Sequence, residues 1–311
     1  SGEDNPALDL ITVMKKAESK EVNASTEKEE REAREKGMQE FEQNLEKGEE
    51  LAKKQGKAFV NMTDQHGRTP VMWVCYANYN NIETTLKLEA KRAPYLGRLL
   101  QDPRLQIDQK DKDGWTALHW ASWSGLDRLS EMLIEKKADI NNKEDNGFTP
   151  LMLAAMRGNI QVVALLLDKG ADMNAVNKFG KTALQLAEEG AAAYQASFDL
   201  TKTKVDKTPL DIFTEAYEKV VSATYPEHVS EFMEAMKTAV GRQAFTETDY
   251  VLQVITRSLI SRELLSEKTA DKFKKEIMEA VAEHSQKIDV RGVAFEYTVD
   301  LLRKAAAKQP M

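Results

Sequence analysis

The chain lacks several features that would assign it to a function class. Among its 311 residues there is one cysteine, Cys75, so no intramolecular disulfide is possible, as is typical of proteins from a reducing compartment such as the cytoplasm. No run of about 18 apolar residues occurs, and we expect no transmembrane helix. The four histidines are scattered without the spacing of metal ligands. We therefore predict no membrane span, no metal site and no cofactor.

The usual sequence signatures of catalysis are missing as well. There is no Gly-rich phosphate loop, no G-x-S-x-G elbow and no kinase signature. Cys75 could act as a nucleophile only if the fold brought His66 or His119 beside it. The formal net charge of −7 argues against nonspecific nucleic-acid binding, which needs a basic footprint. We predict a protein that is not an enzyme and does not bind nucleic acid.

What the sequence does contain is a block that recurs every 33 residues. Its three clearest copies read DGWTALH, NGFTPLM and FGKTALQ, and their glycines are Gly114, Gly147 and Gly180. A fixed period of this length is typical of a stacked repeat array. Such arrays usually present a surface to a partner and seldom catalyse reactions, so the repeat bears on function as well as on fold.

Each block has the sequence expected for a turn that leads into a helix. The turn ends in Gly, which supplies a positive φ at a tight bend, and the Thr two residues later can cap a helix. Pro or Ala then stands at the first helical position. An earlier copy carries Gly67, which lies 47 rather than 33 residues before its next counterpart, an excess of 14. We expect a longer second helix or an inserted loop near residues 87–102, where Pro94 and Pro103 interrupt the helical pattern.

These blocks resemble the ankyrin repeat. The family pattern has a Gly-x-Thr-Pro-Leu-His entry, an Ala-Ala-x-x-Gly bend, a Val-Val-x-Leu-Leu-Leu second helix and a Gly-Ala-Asp-x-Asn exit, and residues 147–174 match it almost throughout. The resemblance implies an all-α fold, an ankyrin-like solenoid of helix-turn-helix repeats with protruding turns (the fingers) and a concave face of first helices (the palm). It also implies that His119 is a structural hydrogen bonder between neighbouring turns.

Three domains are predicted from these patterns. Residues 1–59 form a charged N-terminal helical segment. Residues 60–223 form the repeat array, with four repeats and a possible degenerate fifth near residues 206–213. Residues 224–311 form a C-terminal bundle of four amphipathic helices that packs on the last repeat and seals its apolar face.

The N-terminal segment can be interpreted in two ways. Its apolar stripe is thin and consists of Met38, Phe41, Leu45 and Ala52. We favour a solvated linker helix over a helix that folds back to cap the array. Ser1-Gly2 is typical of the remnant of a cleaved tag, so a natural targeting segment upstream would not be visible.

The resemblance also indicates where a partner would bind, because partners of such arrays usually contact residues that flank the conserved Gly and residues before the bend. On this chain the finger positions are Arg68, Lys112, Asp113, Trp115, Asp145, Phe148, Phe179 and Lys181. The palm positions are Tyr76, Trp123, Met156 and Arg157. Solvent-facing aromatic residues are costly unless they contact something. We therefore predict a partner-binding surface; the alternative is that the N-terminal helix or an insert covers these rings. Trp73 and Trp120 are interpreted as packing residues.

Together these observations predict a protein–protein interaction module. It would bind a segment of a partner protein through the concave face of the array, and we favour a monomer. In one alternative, the repeats only target an uncharacterised helical effector domain in residues 224–311. In another, the chain is a host-directed microbial effector that is secreted into the cytosol of a host cell.

Overall fold

The protein is described here from a computed structural model, which defines residues 6–24, 26–78, 82–196, 209–240, 248–286 and 290–308. Every regular element in these ranges is helical, which confirms the predicted all-α class. The α-helices are α1 (Pro6–Val22), α2 (Glu27–Lys54), α3 (Pro70–Val74), α4 (Ile82–Leu99), α5 (Ala117–Ser124), α6 (Asp127–Glu135), α7 (Pro150–Met156), α8 (Ile160–Asp168), α9 (Ala183–Ala196), α10 (Pro209–Thr224), α11 (Val229–Val240), α12 (Thr248–Ser261), α13 (Glu267–Gln286) and α14 (Val290–Ala307). Short 3-10 turns span Phe59–Asn61 and Pro226–His228.

The chain divides into two compact units. One consists of Ser1–Ala192 together with Tyr297–Met311, and the other of Ala193–Glu296. The first unit contains all the clear copies of the repeat. The predicted domain boundaries near residues 60 and 224 stay a prediction.

Within the first unit, a threonine begins each of the first three repeat helices. The side chains of Thr69, Thr116 and Thr149 accept a hydrogen bond from the backbone N–H three residues later, at 3.3, 3.4 and 3.3 Å. Each bond satisfies one of the N–H groups that a helix leaves unpaired at its start. The Thr of the repeat therefore sets the first turn of α3, α5 and α7.

The turn before each threonine is organised by a single acidic or amide side chain. Asp64, Asp111, Glu144 and Asn177 each accept two backbone N–H groups, from the residues two and four positions later, at distances of 2.7 to 3.0 Å. These bonds close the loop on itself. In an isolated turn these backbone N–H groups would form hydrogen bonds with water instead.

Neighbouring turns are joined by backbone hydrogen bonds that form a ladder along the fingers. The N–H groups of Lys112, Asp145 and Lys178 donate to a carbonyl oxygen of the preceding turn, at 3.0, 3.3 and 2.9 Å. Gly114 has φ +83°, and a Cβ on it would lie 2.8 Å from the backbone nitrogen of Asp145. Glycine is therefore required there by both conformation and close approach.

His119 adds a side-chain link between two turns, in the role that the resemblance implies. Its Nδ1 lies 3.1 Å from the backbone nitrogen of Thr116, and its Nε2 lies 3.0 Å from the carbonyl oxygen of Phe148 in the next repeat. Burial lowers the pKa of His119 to about 4, although the hydrogen bond to Phe148 opposes that shift. The ring is thus held neutral as part of the stack.

Nine of the 14 extra residues of the first repeat lengthen its second helix. Helix α4 has 18 residues, whereas α6 and α8 have nine each. The predicted interruption at Pro94 is wrong, because this proline lies inside α4. Its ring is exposed, so the backbone group that it leaves unpaired can reach water. The added turns provide the surface on which the N-terminal helices pack.

The favoured interpretation of the N-terminal segment as a solvated linker is wrong, and the capping alternative describes it. Leu10 and Met14 of α1 and Phe41 of α2 are fully buried, in one core with residues of α3 and α4. The thin apolar stripe of α2 is sufficient to bury this segment against the repeat, because α1 supplies a second apolar stripe.

Buried ion pairs hold this cap on the first repeat. Arg92 of α4 donates to Glu18 of α1 at 2.8 Å, and Lys91 donates to Glu21 at 3.0 Å. Arg92 also donates to the backbone carbonyl of Val74 at 3.2 Å and to that of Tyr76. The charge-rich composition of the segment, which favoured the linker interpretation, thus reflects pairing across helices.

The other end of the array is covered by the last turns of α14, which belong to the first unit. Val299 and Leu302 are buried together with Leu186 and Ala187 of α9. At the edge of this contact, Arg303 and Glu188 form an ion pair of 2.7 Å.

The second unit has a separate aromatic core. Phe213, Tyr217, Phe232 and Phe273 are buried in it, and the Tyr217 hydroxyl donates to the carbonyl of Phe232 at 2.9 Å. The turn of the possible fifth repeat, residues 206–208, lies outside the described residues. The residues that follow this turn begin helix α10 at Pro209.

A first prediction concerns pH. His119 binds a proton near pH 6.5 when unfolded but only near pH 4 when folded, so between these values the unfolded chain takes up more protons. The contribution of His119 is fully present above pH 6.5 and is lost as the pH falls towards 4, by up to about 3 kcal/mol. Urea unfolding across this window should show a shallower pH dependence for His119→Gln.

Gln is a suitable replacement because Gln185 occupies the equivalent place in the fourth repeat, where it accepts from the Thr182 N–H at 2.9 Å. His66→Gln, at an exposed histidine, is the control for the loss of an imidazole that is not buried in the stack. Equal slopes for all three proteins would contradict the assignment.

A second prediction concerns the buried pair of Arg92 and Glu18. Arg92→Met leaves a buried carboxylate without its partner and should lower the free energy of unfolding by about 3 to 5 kcal/mol, measured by urea denaturation. Glu18→Gln in the same chain should restore part of the loss. Lys28→Gln, which removes a pair whose lysine side chain is 76% exposed, should change it by less than about 1 kcal/mol. Similar losses in Arg92→Met and Lys28→Gln would rule out the cap as described.

Candidate partner-binding surface

Three positions of the repeat place side chains on one side of the array. The first, just after the conserved Gly, is occupied by Arg68, Trp115, Phe148 and Lys181. The second, on the first helix, is occupied by Trp73, Trp120, Leu153 and Leu186. The third, at the end of that helix, is occupied by Tyr76, Trp123, Met156 and Glu189. Aromatic residues are concentrated in the first two repeats.

Five of these side chains form one cluster, which we call the aromatic surface: Trp73, Tyr76, Trp115, Trp120 and Trp123. The Trp115 and Trp120 rings are 4.5 Å apart, and Tyr76 lies 5.3 Å from Trp120 and 6.2 Å from Trp73. Tyr76 stacks on Trp123 at 6.0 Å with an angle of 14° between the planes. These distances are typical of favourable ring pairs. All five side chains are half-buried, so one side of the cluster faces solvent.

The interpretation of Trp73 and Trp120 as packing residues is incomplete. Both do pack on the core, but both are half-buried and belong to the aromatic surface. Their indole N–H groups donate to the carboxylates of Asp64 and Asp111, each at 3.0 Å. The residue that closes the turn therefore also orients the indole.

A signal for this arrangement is present in the sequence. In both repeats the Asp precedes the Trp by nine residues. In the third and fourth repeats the equivalent pairs are Glu144 with Leu153 and Asn177 with Leu186, which have no indole N–H to satisfy. Aspartate at the turn thus accompanies tryptophan on the helix.

Three cations lie over the rings. The Arg68 guanidinium carbon is 5.3 Å from the centre of Trp73 and 5.1 Å from that of Trp120. The guanidinium of Arg157 is 3.9 Å from Trp123, and the ammonium of Lys15, from the N-terminal cap, is 5.9 Å from Trp73. Such contacts contribute roughly 0.5 to 2 kcal/mol each. Lys15 was not among the predicted site residues, because only the fold brings α1 here.

The remaining predicted positions lie further along the array. Phe148 pairs with Phe179 at 6.3 Å, and Phe179 is 66% exposed. Met156 packs beside the core of the third and fourth repeats. At the fingers, Lys112, Asp113 and Asp145 are exposed, and Lys181 forms an ion pair with Glu189.

The N-terminal helices cover the aromatic surface only in part: Lys15 of α1 lies over the Trp73 ring. Each of the five side chains keeps intermediate exposure with α1 and α2 in place. Asn159 of the third repeat fixes the far edge, since its side chain donates to the carbonyls of Ser122 and Trp123, both at 2.9 Å. The positions of these side chains are therefore set by contacts within the chain.

Cys75 and His119 are both buried in the array. Cys75 is fully buried, and burial raises the pKa of its thiol far above the usual range, which suppresses the thiolate form. His119 is bound to backbone groups on both ring nitrogens. Among the described residues no three His, Cys, Asp or Glu side chains are grouped as a metal site. No helix in the described part of the chain is long and apolar enough to cross a membrane.

The fold and the surface define a helical repeat protein with an aromatic face. Comparison with known families matches residues 41–144 and 132–196 to ankyrin repeats, in three copies. The chain belongs to the ankyrin-repeat family, whose repeats are generally protein–protein interaction modules. No curated protein matches the chain by sequence. The match begins inside α2, so it includes part of the N-terminal cap.

A third prediction tests the coupling of turn and indole. The carboxylate of Asp111 accepts the N–H groups of Asp113 and Trp115 as well as the indole N–H of Trp120. In Asp111→Asn the amide NH2 would face the indole N–H, and leaving these buried donors unsatisfied should cost about 1 to 3 kcal/mol. Urea unfolding followed by circular dichroism measures this loss.

Trp120→Phe supplies the control, because phenylalanine has no donor to satisfy. In that background Asp111→Asn should lower the free energy of unfolding markedly less, since the amide oxygen can still accept the backbone N–H groups of the turn. Equal costs in both backgrounds would mean that the indole hydrogen bond does not couple the two residues.

Proposed function

We propose that this protein binds a segment of a partner protein on the predicted concave face, with the aromatic surface as its anchor. The observation that carries the proposal is the aromatic surface itself: four tryptophans and one tyrosine in one cluster of ring contacts, each of them partly exposed. Contiguous exposed rings are costly in a free protein, and Trp and Tyr are the side chains most enriched among binding hot spots.

The rigidity of the surface supports this proposal. Hydrogen bonds to Asp64 and Asp111 orient Trp73 and Trp120, and the stacked cations restrict the outer faces of the rings. A preformed surface loses little conformational entropy when a partner docks.

We also infer that the protein acts as a monomer in a reducing compartment, without nucleic acid as a partner and without a reaction of its own. The free thiol of Cys75 supports the reducing compartment, and the net charge of −7 supports the absence of nucleic acid as a partner.

A second function for the C-terminal helices is the alternative. In this alternative, residues 224–311 form an effector domain, and the separate aromatic core of the compact unit Ala193–Glu296 supports a role of its own for this part of the chain. A host-directed microbial effector is the further alternative, and it rests on the resemblance to repeat arrays fused to helical domains.

A fourth prediction tests partner binding. The intact protein and its Tyr76→Ala/Trp123→Ala variant are compared by affinity purification and mass spectrometry. The double substitution removes the stacked outer pair, so partners held by the aromatic surface should be lost by at least about tenfold, as expected for the loss of hot-spot residues. Met278→Ala, at an exposed apolar side chain of α13, is the control and should retain them. Partners that the double variant retains in full would argue against this function. A cooperative thermal transition must persist in both variants.

A further inference from the structure

The position of Arg68 gives a more specific inference about the partner, and it depends on the proposed function. Arg68 occupies the first of the three repeat positions, where the next repeat has Trp115. Its guanidinium lies over two indoles from consecutive repeats, at 5.3 Å from Trp73 and 5.1 Å from Trp120. The side chain is therefore held near the middle of the aromatic surface.

The charge of this guanidinium is not matched within the described residues. No ion pair or side-chain hydrogen bond joins Arg68 to a carboxylate there. The nearest acidic group in the sequence, Asp64, is already engaged: one oxygen accepts the backbone N–H groups of His66 and Arg68, and the other accepts the indole N–H of Trp73.

The surface is polarised as a result. The carboxylates that contact the indoles, Asp64 and Asp111, are turned toward backbone groups at the ring edges, and Asp111 is buried. The cations Lys15, Arg68 and Arg157 lie over the ring faces. An approaching segment thus meets apolar rings with positive charge above them, although the chain as a whole is acidic.

An arginine held over aromatic rings is suited to bind a carboxylate. Stacking uses the flat face of the guanidinium and leaves the N–H groups along its edge, which match the two oxygens of a carboxylate in a bidentate pair. Burial of the neighbouring rings by the partner would lower the local dielectric and strengthen that pair.

We propose that Arg68 is a carboxylate receptor and that the partner segment is an acidic peptide in which Asp or Glu stands beside an apolar residue. The apolar residue contacts the rings of Tyr76 and Trp123, and the carboxylate binds the edge of the Arg68 guanidinium. A single-stranded nucleic acid, the other ligand that could stack on these rings, is disfavoured because it needs an extended basic groove, whereas the cations over the rings are Lys15, Arg68 and Arg157.

The test begins with a phage-displayed random peptide library panned on the intact protein. Phage that also bind the Tyr76→Ala/Trp123→Ala variant are removed. The remaining sequences should be enriched in Asp or Glu next to aliphatic or aromatic residues. Selection of no surface-dependent peptide would contradict the proposed function itself. Surface-dependent peptides without enrichment in acidic residues would contradict only the role of Arg68.

The second stage measures one selected peptide and its counterpart with Asn and Gln in place of Asp and Glu. Fluorescence anisotropy is recorded with the unsubstituted protein and with Arg68→Gln. A charge-assisted bidentate pair predicts that Arg68→Gln weakens binding of the acidic peptide by at least about tenfold and leaves the amide peptide nearly unchanged. An equal effect on both peptides, or none on either, would overturn the proposal.

Two further variants and one probe complete the experiment. Arg68→Lys keeps the charge without the planar fork and should bind with intermediate affinity, whereas Arg128→Gln, at an exposed arginine of α6, should bind like the unsubstituted protein. A labelled single-stranded oligothymidine should not bind. If it bound more tightly than the peptide and Arg68→Gln removed that binding, the ligand class would be nucleic acid and the proposal would be wrong.

Discussion

The structure of the array depends on the hydrogen bonds that each turn makes with itself and with the turn before it. One side chain, Asp64, Asp111, Glu144 or Asn177, closes each turn, and one backbone N–H joins it to its neighbour. The repeat distance is set by this ladder, because Gly114 brings two backbones closer than any side chain would allow. This repeat distance in turn determines how the helices pack, how His119 is buried and how far apart the aromatic positions lie.

Much of the array could be predicted from the sequence because its constraints are local. A positive φ at the turn and a threonine cap each need a particular residue at a particular place, and the 33-residue period repeats them. The same reasoning identified Trp115, Trp123 and Tyr76 as facing outward, and these residues do lie on one half-buried cluster.

The parts that could not be predicted depend on contacts between residues far apart in the chain. The pairing of Glu18 with Arg92 turns a charged helix into a cap, and nothing near Glu18 reveals its partner. Pro94 is tolerated in α4 because its side faces solvent, which the sequence does not show. Trp73 and Trp120 were predicted to be packing residues, and each does pack on the core with one side. The other side of each ring belongs to the aromatic surface. Recognising the aspartate nine residues earlier requires knowing that the turn folds over the helix.

The cover of the fourth repeat bears on how the protein is made. Val299 and Leu302 complete the core around Leu186 and Ala187, yet the whole unit Ala193–Glu296 lies between these segments in the chain. On the ribosome, α9 is therefore synthesised well before the residues that shield its apolar side. The first three repeats can stack as they emerge, while the fourth is completed only when α14 has been synthesised. A nascent chain stalled within the inserted unit therefore exposes the apolar face of α9 to chaperones and proteases.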